Sequence, residues 1–308
     1  MLLQCGNRLT YHETPWGHRI WLLYQSDRVH ITYRCASIPD TLMGHTNSST
    51  YKHGHPFAGS HILVCGASGD LGSALAVELA RYGAKLSLWG RRADRLDEVA
   101  RECRMYSGGV SIRTLDLADI EAAVTALQQE DDAYPFDCAF LVAGIGDTVE
   151  AGHKVESTAQ LIRHGLINFT APAALCGKLG ERMAGRGHGR IALVGSAAAT
   201  HPLPFAAGYT ASKRGLAHFA DAMRIALKPH GVTVTLLAPG FFAGSGKDYG
   251  YARPGEISAR AVADRAIRAV ACGQPVLVTP WWFRALGWLG HVMPRPLRDK
   301  VMLSLPRP

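Results

Sequence analysis

The stretch His61-Ile-Leu-Val-Cys65-Gly66-Ala67-Ser68-Gly69-Asp70-Leu71-Gly72 decides the fold. Its first five residues are almost wholly apolar, as a strand covered on both faces must be. The glycines that follow mark a tight turn, and the chain then reads as a helix to Tyr82, stopped by Gly83. Outward from this unit the same alternation repeats. KLSLW (85–89), a helix near 93–104, VSIRTL (110–115), a helix near 118–130, DCAFLV (137–142) and a helical region to about 184 come first. RIALVG (190–195), a helix near 206–228 closed by Pro229 and Gly231, VTVTLL (232–237), a helix near 258–272 and PVLV (275–278) complete it. Strand-helix alternation predicts an α/β fold: one domain over 61–280, with a doubly wound parallel sheet of about seven strands and helices on both faces.

Composition narrows the function classes. Of the 308 residues, 47% are hydrophobic and 19% charged, which excludes wholesale disorder. No apolar run reaches the ~18 residues of a membrane span. The net charge is +8, but Lys and Arg are scattered without interleaved aromatics, so no nucleic-acid partner is expected. Seven cysteines (Cys5, Cys35, Cys65, Cys103, Cys138, Cys176 and Cys272) form no CxxC and read as buried thiols in a reducing compartment. The opening MLLQCGNRLTYHETPWG lacks the basic start and apolar stretch of a signal peptide, so a cytoplasmic location is expected. Residues 1–60 read as an N-terminal extension, poorly ordered or linker-like, with one short candidate strand at Arg28–Arg34. His53 and His55 lack a third ligand, and no metal site is expected.

Glycines at a strand-to-helix turn let the backbone approach a pyrophosphate, and the helix N-terminus favours its negative charge. Gly66, Ser68, Gly69, Asp70, Leu71 and Gly72 are therefore predicted to form a dinucleotide site. An NAD site places an acid at the end of the second strand, near the ribose 2′-hydroxyl. This chain has Gly90-Arg91-Arg92 there. Arg91 and Arg92 suit a 2′-phosphate, which predicts NADP(H) ahead of NAD(H).

Tyr209-Thr-Ala-Ser-Lys213 opens a predicted helix, and its i,i+4 spacing puts phenol and ammonium on one face. A free phenol titrates near ~10 and is a poor acid–base group at neutral pH. An adjacent ammonium stabilises the phenolate and brings it toward its working range. Ser196 lies just past a strand, where its hydroxyl can meet a substrate oxygen.

With these residues in place the chain resembles the short-chain dehydrogenase/reductase family over about Ser60 to Pro280. The resemblance implies a Rossmann-type sheet and a catalytic tetrad of Asn168, Ser196, Tyr209 and Lys213. It implies that Asn168, in INFTAPAAL, kinks its helix and holds a relay water. It also puts Asp116 and Leu117 at the adenine, Ala143 and Gly144 after the fourth strand, and Pro239-Gly240 beside the nicotinamide. Tyr209 and Lys213 would touch the cofactor as well. Three departures stand out: Asp70 replaces the middle turn glycine, Leu141-Val142 replace two asparagines, and Gly244 replaces a threonine for which Ser245 is the nearest substitute.

The implied reaction is reduction of a ketone to a secondary alcohol, or the reverse. Ser196 would orient the carbonyl oxygen, Tyr209 would act as the acid, and Lys213 would lower its pKa and bind ribose. Two alternatives use the same fold: an NADP(H)-binding regulator without turnover, and a lyase or epimerase. The segment Phe241–Tyr251 carries four aromatics and no basic cluster, which favours an apolar, lipid-like substrate over a sugar phosphate. The tail 281–308 holds three of the six tryptophans and five basic residues against one Asp. It is read as packing against another subunit of a homo-oligomer, touching a membrane surface peripherally, or covering the substrate cleft.

Overall fold

The computed structural model describes residues 8–13, 19–25, 28–33, 55–146, 148–150, 152–243 and 255–305. It divides the chain into two units, Met1–Gly54 and His55–Pro308. In the first, β1 (Arg8–Glu13), β2 (Arg19–Gln25) and β3 (Arg28–Tyr33) pair as an antiparallel sheet in the order β1-β2-β3. The strand read at Arg28–Arg34 is β3; β1 and β2 were not anticipated in a segment expected to be linker-like. The division falls six residues before the expected start at 61, and Phe57 shows why: its ring is fully buried and meets Phe140 edge-on at 6.4 Å.

The second unit alternates strands and helices. In chain order come β4 (His61–Cys65), α1 (Asp70–Arg81), β5 (Lys85–Gly90), α2 (Ala93–Arg104), β6 (Val110–Thr114), α3 (Ile120–Ala133) and β7 (Cys138–Leu141). Then follow α4 (Thr158–Gly165), α5 (Ala171–Arg186), β8 (Gly189–Val194), α6 (Ala207–Leu227) and β9 (Val232–Pro239). The short pair β10 (Phe242–Ala243) and β11 (Ile257–Ser258), α7 (Ala259–Ala271), β12 (Val276–Thr279), α8 (Trp282–Val292) and α9 (Arg295–Ser304) complete the unit. Seven strands form one parallel sheet in the order β12-β9-β8-β7-β4-β5-β6. The order reverses direction at β4, so the crevice of the doubly wound sheet opens beyond the C-terminal ends of β4 and β7.

Side chains alternate across the sheet into two apolar layers. Ile62, Val64, Leu86, Leu88 and Phe140 pack under α1, α2 and α7, with Leu75, Leu79, Val99 and Ile267. Leu63, Trp89, Leu141, Ile191 and Leu193 pack under α3, α5 and α6, with Leu127, Leu175, Leu179 and Leu216. The edge strand β6 is the exception: Ser111 and Ile112 are exposed, as one uncovered side allows. Between α3 and α5, Asp131 is buried and takes hydrogen bonds from Arg182, Arg186 and the Phe136 N–H. Cys65, Cys103, Cys138 and Cys176 are buried free thiols, and Cys272 is half-buried. Cys5 and Cys35 lie outside the described residues. His55 stacks on Tyr82 with centroids 3.7 Å apart, and burial lowers its pKa to about 4. His53 lies outside the described residues. Among the described residues no helix is long and apolar enough to cross a membrane.

Candidate active site

A cavity of about 710 Å³ opens at the crevice beyond β4 and β7. Of the predicted cofactor residues, Gly66, Ser68, Gly69, Asp70, Leu71, Gly72, Arg91, Arg92, Asp116, Leu117, Ala143 and Gly144 line it. Pro239, Gly240, Tyr209 and Lys213 are outside its lining, while Ile145, Gly146 and Ile167, none of them anticipated, are in it together with Phe242, one of the four aromatics read as lining the substrate region.

Close approach explains the glycines. At Gly66 the backbone has φ +96°, and a Cβ there would sit 2.6 Å from the Ala143 nitrogen. A Cβ on Gly72 would stand 2.1 Å from the Gly66 carbonyl oxygen, and one on Gly90 would stand 2.6 Å from Ser68 Oγ. Glycine at these three positions lets the chain pack closely on itself and so shape a cradle beside the cavity. Gly69 precedes α1 without a side-chain cap, which suits the first-turn N–H groups to an anion. Asp70 opens α1 and lines the same wall, so the carboxylate opposes part of that attraction. On the far side, Arg92 Nη2 donates to the Ser68 carbonyl at 2.6 Å, and Arg91 is exposed at the cavity. Only one of the two predicted cations is therefore committed to the protein by a described bond. Asp116 Oδ1 accepts from the Ala118 N–H at 3.0 Å, which fixes the turn after β6. The cradle, the helix start and the two arginines fit a dinucleotide.

The predicted tetrad gathers beyond the ends of β7 and β8. Asn168 sits in a π-helical turn, Leu166–Thr170, between α4 and α5. It is fully buried, accepts from the Ile145 N–H at 2.8 Å and donates to the Ile145 carbonyl at 2.9 Å and to Ser212 Oγ at 3.3 Å. The turn thus breaks the α-helical ladder where a polar side chain grips the loop after β7. Ser196 caps a short 3₁₀ turn, Ala197–Thr200, with its Oγ accepting from the Ala198 N–H at 3.1 Å. Tyr209 lies in the first turn of α6, half-buried. Lys213, one turn on, is buried; its Nζ donates to the Val194 carbonyl at 2.8 Å, and burial lowers its pKa to about 8.

The loop Ala143–Gly146 joins this group to the cavity. A Cβ on Gly144 would lie 3.0 Å from both Asn168 Oδ1 and Lys213 Nζ, and one on Gly146 would lie 3.8 Å from the Tyr209 ring. Two further buried groups underlie Tyr209. Glu156 Oε2 accepts from the Gly208 N–H at 2.7 Å, and its Oε1 is 3.2 Å from His164 Nδ1. The His164 ring meets the Tyr209 ring edge-on at 6.2 Å. No motif singles out Glu156 or His164; only the fold brings them beneath the tyrosine.

The segment after β9 is partly described. Phe242 lines the cavity, and Phe241 meets Phe283 edge-on at 6.0 Å. Gly244, Ser245, Lys247, Asp248, Tyr249 and Tyr251 lie outside the described residues. Gly240 donates its N–H to the Thr279 carbonyl at 2.8 Å.

Residues 60–248 match the family model described as short chain dehydrogenase. The chain belongs to this family. Its members are oxidoreductases acting on CH–OH and C=O groups with NAD(P)(H), and this chain is such an enzyme. Among relatives of the short chain dehydrogenase is a dehydrogenase/reductase SDR family protein 7-like from Anopheles gambiae. It is 29% identical over 258 residues, covering 77% of this chain and 80% of the relative. An 11-beta-hydroxysteroid dehydrogenase-like 2 from Arabidopsis thaliana is 27% identical over 279 residues, covering 84% and 88%. A solved structure of a candidate NAD(P)-dependent gluconate 5-dehydrogenase from Beutenbergia cavernae, with NADP bound at low occupancy, superposes with a TM-score of 0.68. It is 26% identical and covers 75% of this chain and 99% of that one.

Proposed function

We propose that this short chain dehydrogenase interconverts an apolar ketone and a secondary alcohol with NADP(H), using Tyr209 as the general acid and base. The observation that carries the proposal is the shared loop. Asn168 Oδ1 and Lys213 Nζ meet at Gly144, Gly146 lies against Tyr209, and both glycines line the cavity. A cofactor held by the glycine turn and a substrate at Tyr209 would therefore face one another across four residues.

When bound, the nicotinamide supplies or accepts the hydride. Ser196, placed at the end of β8, would hold the substrate oxygen and stabilise charge developing on it. The Tyr209 hydroxyl would deliver a proton to that oxygen. Lys213 would favour the phenolate left behind, and its carbonyl anchor at Val194 holds the ammonium in place. Asn168, fixed to Ile145, would position water between Lys213 and solvent. Arg91, exposed at the cavity, would pair with a 2′-phosphate and favour NADP(H). Phe242 in the wall and the relative named for hydroxysteroid dehydrogenase agree with a lipophilic substrate.

The test is turnover of long-chain 3-keto lipids, steroids and small ketones with NADPH and NADH, followed by nicotinamide absorbance. Tyr209→Phe should keep cofactor binding and lower turnover by at least ~100-fold, the scale of general acid catalysis. Near-normal turnover in that variant refutes the mechanism. Tight NADPH binding with no turnover across the panel refutes the apolar-ketone assignment.

A further inference from the structure

The helix α8 turns an apolar stripe away from the protein. Trp281, immediately before it, is 76% exposed, Trp288 68%, Val292 56% and Leu289 46%. Ala285 is exposed as well, so the positions run i, i+4, i+7, i+8 and i+11 along a single face. The opposite face is occupied. Phe283 fills the space beside Gly240, while Gly287 and Gly290 bring the helix against Thr200 and His201. The helix thus rests on the turn that follows Ser196 and on the turn that ends β9, next to the catalytic group. Among the described residues one face of the helix is seated and the other is bare, a patch of the kind that marks an interaction surface.

We propose that α8 docks on the surface of an anionic lipid bilayer and sets the substrate site at the membrane interface. The proposal rests on the ketone-reductase reading only for its consequence, that a lipophilic ketone is taken from the bilayer. Charge favours this occupant. The tail 281–308 carries Arg284, Arg295, Arg298, Lys300 and Arg307 against Asp299 alone, in a chain of net charge +8. A second copy docked symmetrically through α8 would bring a tail of the same net positive charge near this one. An anionic bilayer brings the opposite charge, and the indole side chains of Trp281 and Trp288 suit the boundary between headgroups and acyl chains. The helix has eleven residues, too few to span a bilayer and suited to lying in its surface.

The experiment is flotation of the full chain with vesicles of phosphatidylcholine alone or with about one third phosphatidylserine. The wild type should float with the anionic vesicles and lose most of that binding at high salt. Trp281→Ser with Trp288→Ser should weaken flotation by about tenfold or more, as expected when two indoles leave the interface. It should leave NADPH affinity and reduction of a small water-soluble ketone unchanged, and lower turnover of a ketone dissolved in the vesicles. Flotation that requires the tryptophans stands for the docking surface even if no ketone is reduced, in which case the enzymatic reading alone fails. Absence of wild-type flotation, or flotation insensitive to both tryptophans, overturns the proposal. So does a dimer that dissociates in the double variant while vesicles are ignored, since that result assigns the face to a second copy.

Discussion

Gly72→Ala tests the cradle at its tightest point. The new Cβ would lie 2.1 Å from the Gly66 carbonyl oxygen, 2.7 Å from its carbonyl carbon and 3.0 Å from the Ala67 Cα. Ordinary carbon contacts begin near ~3.5 Å, so the first is more than about 1 Å too close. All three neighbours are backbone, and no side chain can swing aside. Overpacking of this kind costs up to ~3 kcal/mol, against about 1 kcal/mol gained from replacing glycine by alanine in a helix. The net loss is about 2 kcal/mol, or roughly 1 M in a urea midpoint with m near ~2 kcal/mol/M. Relief comes only if the turn and α1 part, so NADPH affinity should fall by about tenfold or more. Gly69→Ala is the control: its φ is −94°, and its Cβ would make one ordinary contact, 3.4 Å from the Gly66 oxygen. It should cost under ~1 kcal/mol and leave binding nearly intact. Urea unfolding and NADPH fluorescence titration on both variants decide the matter. A Gly72→Ala protein as stable and as tight-binding as Gly69→Ala would refute the steric argument.

Three other outcomes are expected. Arg91→Ala should erode the preference for NADPH over NADH by roughly ~1.5–3 kcal/mol, measured as the ratio of dissociation constants; equal affinities in the wild type would contradict the assignment. Burial holds Lys213 at about 8, below its unfolded value of 10.5, so between these values the unfolded chain binds more protons and this group makes stability rise with pH. Lys213→Met should therefore be most stabilised relative to wild type near neutral pH, by an amount on the order of 3 kcal/mol before its lost hydrogen bond is subtracted. That advantage should shrink by pH 10 in urea unfolding. For Asp131, burial raises the carboxyl pKa, but bonds from Arg186, the Phe136 N–H and Arg182 outweigh it, and the net shift is downward. Its stabilisation is complete above the unfolded aspartate value near ~3.9 and is lost as pH falls through the lower folded value. Asp131→Asn should cost about 2–4 kcal/mol at neutral pH and progressively less in acid, and a pH-independent difference would count against the ion network.

The sheet was legible because its strands carry their own signal. HILVC matches β4 residue for residue, and apolar runs with glycine turns mark the other inner strands. β2, RIWLLYQ, escaped notice because no helical stretch follows its apolar run as one follows each strand of the large sheet, and its partners β1 and β3 identify it only once paired. The glycine turn and the Tyr209–Lys213 pair were legible as candidates because a strand-to-helix turn and a single helical turn fix their spacing along the chain, whereas Asn168 joined them by resemblance alone. Glu156 and His164 were not, since they come together through packing of a loop and α4 beneath α6. The resemblance implied a kink at Asn168, and only the fold shows that it is a π-helical turn, because no propensity distinguishes such a turn from a plain helix. The outward stripe of α8 needed the fold too: the sequence supplies the tryptophans, but only the seated face shows which of them are bare.

The loop Ala143–Gly146 is touched from two sides, and this has a thermodynamic corollary. Gly144 faces the cavity and lies against the Lys213 ammonium, so whatever presses on the loop from one side is felt on the other. Reciprocity then applies: a ligand that changes the proton affinity of Lys213 must itself bind with an affinity that changes with pH around 8. For the same reason, substitutions on the two sides of the loop should not combine additively, and their interaction energy in a double-mutant cycle measures how stiffly four residues transmit occupancy into basicity.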